Sequence, residues 1–211
     1  MKNQWAKFDL ATTTKGMIYM YNHWQKKWVL SLGLLALAML PAGCGNSIDD
    51  QFPFGKNRIH CGGETITVAT PFELISNGRQ VDLGDRQAET VHAEGHNANM
   101  QLLVTGTKEG EGKDVKTLAE EAKSILADNP NLKNVRSQQK EITLGDVKAQ
   151  QLSFSFIETA RGKNVELSVE EYIFLRKGVV WRVIYQYRSQ DEVGKALTQK
   201  VAGQIAMGST F

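Results

Sequence analysis

Three consecutive runs of alternating apolar and polar residues constrain the fold of this chain more than any other feature. The runs are QLSFSFIET, ELSVEEYIFLRK and VVWRVIYQYR, and all three lie within residues 140–188. Alternation with a period of two is the pattern of a β-strand that buries one face. The joining segments, 161–164 and 176–178, are short and contain glycine. We therefore predict a three-stranded antiparallel meander.

The meander carries aromatic and acidic residues whose roles the alternation limits. Cross-strand packing in the core explains most of the aromatic residues without a ligand. Tyr185 and Tyr187, near Arg182, are the ones that we expect to be exposed and available for surface contacts. Glu170 and Glu171 cannot form an acid–base pair because neighbouring strand residues point to opposite faces. We expect both glutamates to be solvated or to lie at an edge.

Helical periodicity appears on both sides of the meander. Residues 115–126 form an amphipathic pattern that Asp114 or Thr117 can cap and that ends at Asn129-Pro130. A closing helix is predicted to open at Ser189 and to stop near Gly208. Its predicted buried residues are Val193, Ala196, Leu197, Val201 and Ile205.

Upstream of the first helix, the sequence predicts further strands. Residues 65–74 are β-branched but interrupted by Pro71, which favours an edge strand or a strand with a break. ETVHAEGH and MQLLVTG, within residues 88–106, read as two strands joined at 97–99 or as one long bent strand.

The N-terminal region has the pattern of an export signal. Lys26 and Lys27 precede an apolar run at 28–40, and Pro-Ala-Gly-Cys follows at 41–44. A run of this length is short for a permanent membrane span and is typical of a signal peptide. Residues 1–19 would make an unusually long basic region, so we expect translation to begin at Met17 or Met20.

The residues around Cys44 resemble the signal of bacterial lipoproteins. Ala42 and Gly43 precede the cysteine, although Pro41 stands where the signal usually has leucine. The resemblance implies that Cys44 is diacylated and becomes the mature N-terminus, anchored on the extracytoplasmic side of a bacterial envelope membrane. This would leave Cys61 as a lone thiol. The alternative is an ordinary secretory signal, which would allow a disulfide between Cys44 and Cys61.

The remainder of the chain divides into a linker and one domain. We predict an N-terminal extension with signal peptide at 1–43, a flexible tether at 44–64 and a single domain at 65–211. Five of the 25 basic residues but one of the 23 acidic residues precede Cys44, so the rest of the chain carries a net charge of about −2. This balance gives no electrostatic footprint for nucleic acid or for an anionic membrane surface.

Residues 65–211 resemble a PsbP-like domain, a group that includes DcrB-like bacterial lipoproteins. The resemblance is carried by Pro71-Phe72, the helix before the meander, the turn at Leu144-Gly145-Asp146, and the closing helix with its small-residue-plus-Phe tail. It implies an α+β fold in which an antiparallel β-sheet is flanked by helices, a PsbP-like α/β/α sandwich. It also implies a binding or assembly role, without functional residues to transfer.

His92, Glu94 and His96 form a candidate metal site. On a strand, residues two apart point to the same face, so two imidazoles and a carboxylate would align. Zinc or copper accepts these ligands. The alternative is a solvated strand face with no metal. His60 and Cys61 would add a ligand only if the tether folded back.

No catalytic motif is present. The segment 106–114, GTKEGEGKD, lacks the spacing and the hydroxyl of a phosphate-binding loop, and the chain has no G-x-S-x-G, H-E-x-x-H or C-x-x-C motif. We therefore expect a non-enzymatic, membrane-anchored envelope lipoprotein that binds an envelope protein partner or helps to assemble a complex. The alternative is a small-ligand or metal-binding carrier.

Overall fold

The computed structural model describes residues 48–76, 79–80, 89–108, 114–160 and 162–208. Residues Gly45–Thr159 and Asn164–Phe211 form one compact unit, and the second grouping, Met1–Cys44 with Ala160–Lys163, lies almost wholly outside the described residues. The helices are α1 (Ile48–Gln51), α2 (Val115–Ala127) and α3 (Glu192–Ala202). The strands are β1 (Gly55–Cys61), β2 (Glu64–Thr70), β3 (Ile75–Ser76), β4 (Arg79–Gln80), β5 (Thr90–His96), β6 (Met100–Lys108), β7 (Leu132–Leu144), β8 (Val147–Ala160), β9 (Lys163–Arg176), β10 (Val179–Arg188) and β11 (Ala206–Met207).

In the described part of the chain, the strands form two mostly antiparallel sheets. The large sheet has eight strands in the order β4-β3-β5-β6-β10-β9-β8-β7. The small sheet has three strands in the order β1-β2-β11. This architecture agrees with the predicted antiparallel sheet and accompanying helices.

The predicted meander is confirmed as β8, β9 and β10, which are neighbours in the large sheet. The turn between β9 and β10 places Lys177 and Gly178 at φ values of 43° and 78°. Two successive residues with positive φ match the right-handed twist of the flanking strands. Residues 140–144, which we had grouped with the meander, belong to a fourth strand, β7, which pairs with β8 through the predicted turn at Gly145.

One face of the large sheet packs against the small sheet and α3, and we call it the core face. Buried apolar side chains from all three parts form a single cluster there. Large members of this cluster are Trp181 and Tyr185 of β10, Ile59 of β1, Ile66 and Val68 of β2, and Leu197 and Val201 of α3.

α2 lies on the opposite face, which we call the α2 face. Lys123 of α2 donates from Nζ to Oε1 of Gln139 at 3.0 Å, and Gln139 is the cross-strand partner of Leu152. Gln151 of β8 donates a hydrogen bond to the hydroxyl of Tyr172, which lies on the core face. Leu152 is the next residue on the strand, so its side chain points to the opposite face. Buried apolar residues of the α2 face include Leu152, Phe154, Phe156, Leu167, Val169 and Ile173.

The predicted flexible tether at 44–64 is wrong over most of its length. β1 pairs with β2 along seven residues, and Ile59 and Cys61 are both 0% exposed in the core. Gly62 and Gly63 form the hairpin turn with φ values of 55° and 85°. The alternation in β1 escapes notice because only two of its inward residues are strongly apolar. The folded domain therefore begins before residue 65.

Two further boundaries differ from prediction. β2 is the central strand of the small sheet and not an edge strand, although it does end before Pro71. α3 begins after Asp191, whose carboxylate accepts hydrogen bonds from the backbone N–H groups of Val193 and Gly194. It ends at Ala202, and the chain then adds β11 to the small sheet. Val193, predicted to be buried, is 36% exposed.

Two other local predictions are confirmed. Residues 97–99 connect β5 and β6, and the Asn97 side-chain oxygen accepts from the backbone N–H groups of Asn99 and Met100 at 2.9 Å. Asp114 is the N-cap of α2, since its carboxylate accepts from the backbone N–H of Lys116 at 3.2 Å.

We predict that Ile59→Ala lowers the free energy of unfolding by about 2–5 kcal/mol, because it removes a fully buried side chain from the core. Lys56→Ala, on the exposed side of the same strand, should change it by less than about 0.5 kcal/mol. Urea denaturation of both variants measures the difference. Equal, negligible effects would mean that β1 is not part of the folded domain.

Candidate functional site

The structure places His92 and Glu94 side by side on the α2 face of β5. The two side chains are 28% and 27% exposed, and His92 Nε2 lies 3.6 Å from Glu94 Oε2. His96 is exposed at the end of the strand. In the described ranges, no group of three histidine, cysteine or acidic side chains is arranged to hold a metal ion. The structure thus brings two of the three candidate ligands together.

Gly95 separates Glu94 from His96 and has a packing role. A Cβ at this position would lie 2.5 Å from the backbone oxygen of Glu73 and 2.9 Å from the Phe72 ring. The segment before β3 therefore approaches the backbone of β5 closely on the side opposite to His92 and Glu94. β5 continues as a regular strand through this glycine.

His60 and Cys61 point to opposite sides of β1. His60 Nδ1 lies 2.6 Å from Thr65 Oγ1, while Cys61 is buried and its thiol donates to the Glu89 backbone oxygen at 3.4 Å. Burial raises the pKa of the Cys61 thiol. A buried thiol that is held protonated is a poor nucleophile and a poor metal ligand. Cys61 is therefore a core residue.

The prediction that Tyr185 and Tyr187 are exposed is wrong. Tyr185 is 0% and Tyr187 9% exposed, and both belong to the core-face cluster under α3. Both lie an even number of residues from Trp181 on β10 and therefore point to the same face as Trp181. The charged neighbours that suggested exposure, including Arg182, point to the other face.

The tyrosine side chains are held protonated by burial. The ring of Tyr185 packs edge-on against Tyr172, with 6.1 Å between the ring centroids. Burial, with a smaller contribution from Glu170, raises the pKa of Tyr172 to about 12. Burial raises the pKa of Tyr185 as well. Both hydroxyls therefore remain neutral over the physiological range.

Glu170 and Glu171 point to opposite faces as predicted, but neither is simply solvated. Glu170 accepts hydrogen bonds from Ser153 at 2.7 Å and from Gln151 at 3.1 Å. The Glu171 side chain is 3% exposed and lies 2.5 Å from the guanidinium of Arg182. Burying a carboxylate requires such a partner, because removing an unpaired charge from water costs roughly several kcal/mol of free energy.

The buried ion pair completes a row of polar side chains that the sequence reading missed. Thr105 is the cross-strand partner of both His92 and Arg182, so these three residues lie in line across β5, β6 and β10. Glu94 and Glu171 flank the line on the same face. We call this set the polar strip: His92, Glu94, Thr105, Arg182 and Glu171.

The polar strip can both donate hydrogen bonds to a ligand and accept them from it. Arg182 is 19% exposed and Thr105 is half-buried, so donors and acceptors lie close to a surface. The strands are about 4.8 Å apart, which spaces the strip over about 10 Å from His92 to Arg182. Such an arrangement suits recognition of a polar surface or a peptide. The strip could be found only once strand register was known.

Several sequence predictions lie outside the described residues. These are the signal peptide, the start codon, Cys44, most of the charged loop that follows β6, and the small-residue-plus-Phe tail. Within the described residues, no helix combines the length and apolar character of a membrane span.

No family model and no curated protein matches the chain. Solved structures that resemble it include the following two. One is described as LpqN involved in cell envelope biogenesis of Mycobacterium tuberculosis: identity is 14%, with 79% of this chain and 99% of that chain covered, at a TM-score of 0.45. The other, from Pseudomonas aeruginosa, is described as protein of unknown function PA94, putative regulator. Its sequence identity to this chain is 11%, the match covers 70% of this chain and 91% of that chain, and the TM-score is 0.39. Likeness at these TM-scores carries no conclusion about this chain.

We predict that Arg182→Met lowers the free energy of unfolding by about 3 kcal/mol, because it leaves Glu171 buried without a partner. The double variant Arg182→Met/Glu171→Leu should recover most of this loss. Lys148→Met, which breaks an exposed ion pair with Glu141, should cost less than about 1 kcal/mol. Chemical denaturation gives all three values. A double variant as unstable as Arg182→Met would refute the pairing.

Proposed function

We propose that this chain is a membrane-anchored lipoprotein of the bacterial envelope whose domain binds a protein partner and performs no catalysis. The observation that carries the proposal is the basic, apolar and small-residue sequence that ends at Cys44. A lipid on this cysteine would hold the domain on the extracytoplasmic side of the membrane.

We also propose that the domain is PsbP-like. The resemblance of residues 65–211 to that group supports this assignment. So does the arrangement of α2 on one face of an antiparallel sheet and α3 on the other. β1 and α1 extend the domain towards the N-terminus beyond the part that carries the resemblance.

The polar strip supports a binding role for the domain. It combines a partly exposed guanidinium with a partly exposed carboxylate and imidazole, and half-buried polar groups of this kind gain specificity when a partner satisfies them. Arg182 is also held in place by Glu171, which reduces the entropy lost when a partner binds. The strip is therefore the surface on which we place the partner.

Two measurements test this proposal. The mature protein should carry the mass of a lipid on Cys44, and Cys44→Ser should release the domain from membranes. A photo-crosslinking residue at Thr105 should then trap one reproducible protein partner in intact cells. The same residue at Thr67, on the other side of the molecule, is the matched control and should not trap it.

An unlipidated mature chain would contradict the anchoring. Equal cross-linking patterns at Thr105 and Thr67, or none at either position, would contradict the assignment of the partner to the polar strip.

The second candidate function is that of a metal carrier, supported by the closeness of His92 and Glu94. Both residues belong to the ligand types that zinc and copper accept, and both are partly accessible. His96 would have to move to join them, or a partner would have to supply the remaining ligands.

If the domain carries metal, micromolar zinc or copper should raise its melting temperature. His92→Ala should abolish that increase, whereas His60→Ala, which changes a histidine on β1, should leave it intact. Thermal unfolding with and without metal measures the effect. No increase for the unmodified chain would remove this candidate.

A further inference from the structure

The folded domain begins very close to the predicted lipid attachment point. α1 starts at Ile48, four residues after Cys44. Four residues span at most about 14 Å when fully extended, whereas a flexible segment from 44 to 64 could span about 70 Å. A lipid on Cys44 would thus hold the part of the domain around α1 and β1 next to the lipid headgroups.

The side of β1 that faces away from the core is basic. Lys56 and Arg58 are exposed and His60 is half-buried, and all three alternate with the inward residues Ile59 and Cys61. The alternation follows from the strand period of two. β1 therefore presents a row of lysine, arginine and histidine to the outside of the small sheet.

Neighbouring strands add neutral side chains to this surface. The cross-strand partners of Arg58 and His60 are Thr67 and Thr65, and Ala206 of β11 pairs with Thr67. Paired residues share a face of the sheet. We call this surface the basic face: Lys56, Arg58, His60, Thr65 and Thr67. It contains no acidic residue.

Apolar and basic groups border the basic face where α1 leads into β1. Phe52 and Phe54 are half-buried, and Lys200 of α3 places its ammonium 5.3 Å from the centre of the Phe54 ring. Aromatic rings beside lysine suit the boundary between headgroups and acyl chains.

We propose that the basic face docks on anionic lipid headgroups of the membrane that holds Cys44. The inference rests on the proposed lipid anchor. Attraction of Lys56 and Arg58 to an anionic surface falls off within about 8–10 Å, and a short connection to a lipid on Cys44 would favour approach of the basic face to that surface. The polar strip lies on the opposite face of the large sheet, so docking leaves it open to a partner.

The experiment uses the full-length lipidated protein in vesicles of phosphatidylcholine with roughly a third phosphatidylglycerol. A fluorescent label is attached at Thr67→Cys, which keeps every basic residue of the basic face, or, as the matched control, at Lys116→Cys on exposed α2, both in a Cys61→Ala background. Lipids that carry a quencher on the headgroup should quench the label at residue 67 and leave that at 116 near its level in solution. Equal quenching at the two positions would overturn the proposal.

Charge reversal separates electrostatic docking from mere closeness. In the chain labelled at Thr67→Cys, the substitution Lys56→Glu should lower the ratio of docked to undocked protein by at least about fivefold in anionic vesicles. Lys116→Glu, an equal charge change on α2, should not. Both exposed substitutions should leave the circular dichroism spectrum and the melting temperature unchanged. Unaltered quenching in the Lys56→Glu chain would overturn the proposal.

The two proposals fail in different ways. A mature chain whose mass shows no lipid on Cys44 removes the anchor and overturns both. A lipidated chain whose label at residue 67 behaves like that at 116 overturns the docking alone. A reproducible cross-link from Thr67 to a protein would likewise overturn the docking, because it would assign the basic face to a protein partner.

Discussion

The packing of Trp181 between the two sheets is the interaction on which the rest of this structure depends. Trp181 is 0% exposed on β10, and it lies over Gly106 of the neighbouring strand. A Cβ at Gly106 would come within 2.8 Å of the Trp181 ring and 3.0 Å of Cys61 Cβ. The missing side chain thus lets the indole lie flat and lets β1 approach the large sheet. Burial of an indole and of the strand above it is a major share of the hydrophobic gain of this layer.

This packing links the fold to the proposed position at the membrane. β1 cannot both cover Trp181 and serve as a flexible tether, so the chain must be folded from β1 onward. We propose that the two faces of the large sheet have separate tasks. The core face binds the small sheet and α3, which we propose to lie towards the membrane, and the α2 face carries Arg182 and Glu171 on the opposite side.

The sequence predicted the features that depend on strong local periodicity. The meander, the β5–β6 hairpin and the Asp114 cap all have signals within one element. β1 was missed because its inward residues include Asn57, a polar residue type that is common in linkers. In the structure, the Asn57 side chain donates a hydrogen bond to Thr70 Oγ1 at 2.8 Å. Tyr185 and Tyr187 were misplaced because the charge of adjacent residues was given more weight than parity with Trp181. The polar strip spans four strands, and its members become neighbours only through register, which local patterns do not encode.

The most direct test of this account is hydrogen exchange at the β1 amides of the full-length protein, read residue by residue. The account predicts that the β1 amides bonded to β2, around Ile59, exchange with the global unfolding of the domain, as slowly as those beside Trp181 in β10. That corresponds to protection of more than about a thousandfold over an open chain. Exchange of all β1 amides at the rate of an unfolded peptide would contradict it, since it would return residues 55–61 to the role of a tether.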